Sequence, residues 1–408
     1  MKTVIVQGDG VASHALPEFH GQTLLQVART PNLDVLANQG EFGDLTISTA
    51  GLSLSSVVTP VALLGYDPSK YCSGLGAFEA ASLDVILEKQ DIAFLCHLVT
   101  LDSGNGKNDH KKMGPHLLLA DAEAGGIDSV DARDLIDAMN EQLGSETIQF
   151  YAGEQHRHLM IWIGGDTRCD CHNPRVAQGK SLEAFLPSGS GAEVITELME
   201  ASRRLLRHHP VNKNREQAGL SPANCVWLWG PGKAMELPKW RERWSLSSSL
   251  ISSSGVHRGI SKCIGIEAVN PQEHTEGCTE DFRQYTRLCL TALESNDLVY
   301  VHVPMPYVQR KIDIEIAVKA IEQFDQFVVG PLMQAFFEGG DCRLLVVCNH
   351  DDEDARGFPP SQTPYAYVEK NGTQSSMASR GFDEVQASQG YAREVTRVAT
   401  QLLPVKDF

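Results

Sequence analysis

The chain has 408 residues, of which 42% are apolar and 21% charged, and its formal net charge is −17. That length is enough for one large or two ordinary domain cores, and no run of about 18 consecutive apolar residues offers a membrane span. The negative balance excludes a general phosphate-backbone binder, which needs a basic face, so nucleic acid is not an expected partner, although a small anion pocket stays open.

The N-terminal run Met1-Lys-Thr-Val-Ile-Val-Gln7 is too short and too weakly apolar for a signal sequence and reads as a buried strand, which points to the cytoplasm. The strand is expected over residues 3–7, with Gly8-Asp9-Gly10 as a glycine-rich turn behind it. An amphipathic helix follows over residues 30–40, punctuated by Pro31 just inside its start and Gly40 just past its end. Next comes Ser56-Val-Val-Thr-Pro-Val-Ala-Leu-Leu-Gly-Tyr-Asp-Pro68. A serine hydroxyl is a weak nucleophile until a metal ion or a base takes its proton. Val57 and Pro60 offer no ligand through their side chains, so Ser56 stands either as a nucleophile or as a helix N-cap.

Residues 104–112 are polar and read as a surface loop. Residues 147–151 and 158–163 look like strands, and residues 192–207 form a strongly amphipathic helix pattern. Ten cysteines at irregular spacings are expected as reduced thiols. The dense cluster Cys169-Asp170-Cys171-His172 carries zinc-type donors but lacks a second Cys pair at compatible spacing, so a polar turn is expected there. Trp227 and Trp229 read as domain core, and residues 245–254, serine-rich but broken by Leu and Ile, do not read as a linker. Residues 298–303 form a continuous apolar strand, residues 314–333 are helical in period, and residues 344–348 form another buried strand before the polar turn Asn349-His350-Asp351-Asp352.

Apolar strands alternating with helices predict an α/β fold with a mostly parallel sheet flanked by helices. Sites in such sheets lie beyond the carboxyl ends of strands. Asp9, residues 302–307 and the pair Asn349-His350 fall there, while His302 itself reads as a packed or hydrogen-bonded strand residue. The middle of the chain differs in character, so a smaller α/β domain is expected as an insertion over residues 87–244, with the first domain built from residues 1–86 and 245–408.

Thr30-Pro-Asn-Leu-Asp-Val-Leu-Ala37 resembles the hallmark helix of the alkaline phosphatase superfamily. Leu64-Gly-Tyr-Asp-Pro68, Phe78-Glu-Ala-Ala-Ser82, His97-Leu-Val-Thr100, Arg157-His158-Leu159, His209-Pro-Val-Asn212, Trp227-Leu-Trp-Gly230 and Val328-Val-Gly-Pro-Leu332 are similar to one branch of it. That branch is the archaeal-type, cofactor-independent (2,3-bisphosphoglycerate-independent) phosphoglycerate mutases, and the similarity runs in consistent order over nearly the whole chain. It implies an alkaline-phosphatase-like fold, an inserted domain that helps grip substrate, and isomerisation of 3- to 2-phosphoglycerate through phosphoserine at a two-metal site, usually of manganese or zinc. By the same resemblance Ser56 is the nucleophile (with Ser55 and Ser53 as substitutes), Asp9, Asn349 and His350 are metal-binding, and Arg157 is substrate-binding.

The chain departs from that pattern in several places. Val57 and Pro60 stand where the family carries Asp and Asn, and Pro304-Met-Pro-Tyr-Val-Gln-Arg-Lys311 lacks an Asp and a His ligand. Asn349 replaces an Asp, and the last His, expected near residues 358–360, is absent. Gly74-Leu75-Gly76-Ala77 and Phe94-Leu95-Cys96-His97 each lack an arginine. Two cations about 4 Å apart need several anionic ligands to offset their repulsion. The expectation is therefore a pseudoenzyme with a binding or assembly role, holding at most one divalent metal (manganese or zinc) and open to a small phosphorylated acid. Two alternatives stand beside it: a divergent mutase that recruits Asp352 or Asp354, and an interaction protein with a closed cleft. The sequence sets no oligomeric state.

Overall fold

Val4, Ile5 and Val6 are all buried on the first strand, the pattern of a central parallel strand covered on both faces. The computed structural model describes residues 1–47, 57–102, 112–166, 168–271, 281–305, 311–350, 363–369 and 380–403. Among these the strands are β1 (Lys2–Ala12), β2 (Glu41–Thr46), β3 (Ile92–Asp102), β4 (Leu118–Asp121), β5 (Ile148–Glu154), β6 (Arg157–Trp162), β7 (Cys169–Asp170) and β8 (Ser188–Gly189). They continue with β9 (Cys225–Lys233), β10 (Ser248–Ile251), β11 (Glu267–Val269), β12 (Leu298–Pro304), β13 (Cys342–His350), β14 (Pro364–Glu369) and β15 (Tyr391–Glu394). The chain divides into two units, Met1–Cys72 with Glu236–Phe408, and Ser73–Met235. Among the described residues no helix is long and apolar enough to cross a membrane.

The first unit is an α/β layer structure on an eight-stranded sheet of order β11-β10-β12-β1-β13-β14-β2-β15. Its first five strands run parallel, and antiparallel pairing enters only around β14. β1 is longer than residues 3–7: it passes through Gly8, Asp9 and Gly10, and its register against β13 shifts between Asp9 and Ala12. The glycines serve packing and a bulge rather than a turn. A Cβ on Gly8 would stand 2.6 Å from Val11 Cγ2, and Gly10 has φ +81°. β13 likewise extends past Cys348 to include Asn349 and His350, which pair with Asp9 and Ala12, so these residues lie on a strand and not in a turn.

The helix Pro31–Gln39 begins with its proline as expected, but Gly40 behind it is extended rather than left-handed. Glycine is needed there for closeness, because a Cβ would stand 2.3 Å from the Tyr367 carbonyl oxygen. Thr30 makes no side-chain cap. The cap comes from across the fold: Asp325 accepts from the Leu33 N–H (2.7 Å), the Asn32 N–H (3.2 Å) and Asn32 Nδ2 (2.8 Å). Asp325 opens a π-turn, Asp325–Val329, between the helices Lys311–Phe324 and Gly330–Glu338. The serine-rich stretch supplies the inner strand β10, whose residues are all buried.

The second unit combines helices with a five-stranded sheet in which every strand pairing is antiparallel. β3 is the axis: β6 and β9 flank it, and β4 pairs with its last residues. The helix Leu75–Ser82 puts Ala80 against Ala93, Leu159 and Ile161. The helices Ser129–Leu143 and Ala192–Leu206 share the main core with Phe94, Met160 and the buried Trp227. Leu75–Ser82 packs on this sheet, within the unit Ser73–Met235. Its two ends are clasped together: Ser73 Oγ donates to the Lys233 carbonyl (2.9 Å) and accepts from the Lys233 N–H (3.1 Å).

Candidate functional site

In the first unit, polar residues gather where β1, β12, β13 and β10 reach their carboxyl ends. The register sets Asp9 beside Pro304 on one neighbouring strand and Asn349 on the other. Asn349 is fully buried, and its Nδ2 donates to Thr59 Oγ1 (2.8 Å), itself fully buried on the helix Val58–Leu63. His350 is 5% exposed, and its ring lies 4.8 Å from that of His14. The Met305 N–H donates to the Asp9 carbonyl (2.8 Å), fixing the chain as it leaves β12.

His302 is a hydrogen-bonded strand residue, as its place inside an apolar run suggests. Its Nδ1 lies 2.9 Å from Ser252 Oγ. That oxygen also accepts from the Ser254 N–H (3.0 Å). The His302 Nε2 lies 3.5 Å from Asp9 Oδ2. Burial drives the His302 pKa down to about 3, so the ring is neutral. His257 stacks on it at 3.5 Å between centroids, and Tyr300 donates to Gln7 Oε1 (2.6 Å) one layer below. Burial, with Asp9 second, raises the Tyr300 pKa well above the ordinary phenol value. The result is a buried lining on one side of Asp9.

Ser56, with Ser53 and Ser55, lies outside the described residues, as do Tyr307, Asp351, Asp352, Asp354 and the 358–360 stretch. The following helix has Val57 at its N-cap position, with no cap hydrogen bond from that side chain; Val57 and Pro60 are buried. Among the described residues, no group of three His, Cys, Asp or Glu side chains is placed to hold a metal ion. Asp9, Asn349 and His350 bring one formal charge between them, and Asn349 spends its amide on Thr59. A pair of divalent cations does not fit that set, because their mutual repulsion would go uncompensated.

Arg157 belongs to the second unit, half-buried at the start of β6 and in register with His97 on β3 and Glu154 on β5. The His97 ring meets those of His156 (5.2 Å) and Trp229 (5.3 Å) edge-on, and burial holds both histidines well below their usual pKa. Arg157 and Arg175 both add positive charge near these two rings. The polar cluster Cys169-Asp170-Cys171-His172 is part strand, with Cys169 and Asp170 on β7. Sequence reasoning missed Thr59, Ser252 and His257. The available signal was register: polar Gln7 and His302 stand opposite each other inside otherwise apolar strands.

The family model described as 2,3-bisphosphoglycerate-independent phosphoglycerate mutase matches residues 37–212. A probable 2,3-bisphosphoglycerate-independent phosphoglycerate mutase of Geobacter sulfurreducens is 34% identical over 389 residues, covering 95% of each chain. A protein of Methanosarcina barkeri named as that mutase is 33% identical over 396 residues, covering 96% of each. Two solved structures share the fold. The PH0037 protein from Pyrococcus horikoshii has a TM-score of 0.69 at 19% identity, covering 98% of this chain and 96% of its own. The cofactor-independent phosphoglycerate mutase from Thermoplasma acidophilum has a TM-score of 0.55 at 22% identity, covering 98% and 99%.

Proposed function

Since the chain belongs to the 2,3-bisphosphoglycerate-independent phosphoglycerate mutase family, we propose that it binds a small phosphorylated acid in the cytoplasm while the family's two-metal phosphoryl transfer has been dismantled. One observation carries this reading: beside Asp9 stands a neutral amide, Asn349, held by Thr59 where a second carboxylate would serve a metal. Asp9, Asn349 and His350 then hold at most one manganese or zinc ion, and Arg157, within the second unit, is the residue assigned to substrate binding by family resemblance. Without paired cations Ser56 keeps its proton and the phosphoryl charge goes uncompensated. Each loss is worth several kcal/mol, and about 1.4 kcal/mol is tenfold in rate.

The test is an enolase-coupled assay with added manganese, run beside the Geobacter relative. Turnover at least about a hundredfold lower is expected, together with a thermal shift by 3-phosphoglycerate that Arg157→Gln diminishes. A second reading, favoured by the names of the full-length relatives, is a working mutase that interconverts 3- and 2-phosphoglycerate through phosphoserine. Turnover comparable to the relative's and abolished by Ser56→Ala would establish it and end the first.

A further inference from the structure

The second unit also holds two sulfurs in contact: Cys169 Sγ and Cys171 Sγ are 3.3 Å apart. Cys169 is 4% exposed on β7, where it pairs with Gly189 of β8, while Cys171 is half-buried and open to small molecules. The chain just past the pair is fastened to the core. Trp227 Nε1 donates to the His172 carbonyl (2.7 Å), and the His172 ring packs edge-on against Phe185 at 5.7 Å. β7 on one side and the Trp227 bond on the other therefore hold both sulfurs in place, with only Asp170 between them.

We propose that Cys169 and Cys171 form a reversible redox pair, a dithiol that a low-molecular-weight disulfide such as oxidised glutathione closes into an intramolecular disulfide. The Cys171 thiolate attacks one sulfur of the small disulfide, which breaks its S–S bond, leaves a mixed disulfide on Cys171 and releases a thiolate that takes up a proton. The Cys169 thiolate then attacks Cys171 Sγ. The new bond joins 169 to 171, and the second small thiolate leaves and is protonated. The protein loses two electrons and two protons, and one small disulfide becomes two thiols.

Accessibility, not acidity, makes Cys171 the first attacker. A Cys171 S–H donated to Cys169 lowers the Cys169 pKa and raises that of Cys171, so the first attack waits until that proton is lost from the contact. Asp166 and Asp170 oppose the thiolate charge, so the reaction depends on the sulfur contact rather than on a basic environment. A ring closed over one intervening residue is small and strained, which makes the bond easy to reopen.

The full chain, treated with oxidised glutathione, alkylated under denaturing conditions and mapped by mass spectrometry, tests this. Expected is a loss of two alkylatable thiols out of ten, confined to the peptide carrying Cys169 and Cys171 and reversed by dithiothreitol. Cys169→Ser is expected to trap a lasting glutathione adduct on Cys171, and Cys171→Ser to react with nothing at Cys169. A glutathione adduct that accumulates on the unsubstituted protein, unchanged alkylation, or closure between other cysteines each overturns the proposal. The first measurement needs no variant, so a misfolded substitution cannot hide the answer.

Discussion

Glu384 is 2% exposed at the start of the helix Glu384–Ser388, where Thr23 Oγ1 (2.5 Å) and the Ser13 N–H (2.8 Å) donate to its two oxygens. Burial outweighs those bonds and raises its pKa from 4.5 to about 7. Between those values the folded chain holds a proton that the unfolded chain has lost, so stability falls as pH rises and levels off above the folded value. Glu384→Gln removes this dependence. The variant's stability relative to the parent is expected to climb by about 2–3 kcal/mol from pH 4.5 to 7, read by urea unfolding at several pH values. An unchanged gap across that window would refute it. Asp44, raised to about 6 by burial, acts with the same sign and should persist in the variant. Residues of this kind were not legible in the sequence, because nothing in a lone Glu marks the hydroxyl and N–H that will meet it. The neighbourhood of Asp9 and the pair Asn349-His350 could be read from the apolar runs before them, but not that all three continue the strands.

At the scale of elements, the sequence marked the helix Pro31–Gln39 by its proline but not its cap, which arrives from a residue nearly three hundred positions away. Drawing Asp325 inward to reach Asn32 and Leu33 goes with the π-turn at 325–329, where Thr286 Oγ1 donates to the Phe327 carbonyl (2.6 Å). Asp325→Ala leaves buried donors unmet, each costing about 1–3 kcal/mol. The urea midpoint is expected to drop by an equivalent of about 3 kcal/mol at unchanged m-value, whereas a loss below about 0.5 kcal/mol would show that water replaces the carboxylate. Strand lengths were also underread. Gly-Asp-Gly looks like a turn by composition, yet in a bulged parallel strand Gly8 makes room for Val11 and Phe324 while Gly10 takes a positive φ.

For the whole molecule, the alternation of apolar runs sufficed to foresee a mostly parallel sheet, because only central strands tolerate such continuous burial. The boundaries of the insertion were harder to foresee, since an amphipathic helix such as Leu75–Ser82 carries no sign of which sheet it will cover. The unit Ser73–Met235 has its own core and antiparallel sheet. Expressed alone, residues 73–235 are expected to unfold cooperatively on heating and to give dispersed amide resonances; a broad, non-cooperative melt would refute this. The two hydrogen bonds between Ser73 and Lys233 extend the point. They set entry and exit side by side like the prongs of a plug, so a short bridge from Cys72 to Glu236 could seal the socket and let a foreign cassette take its place.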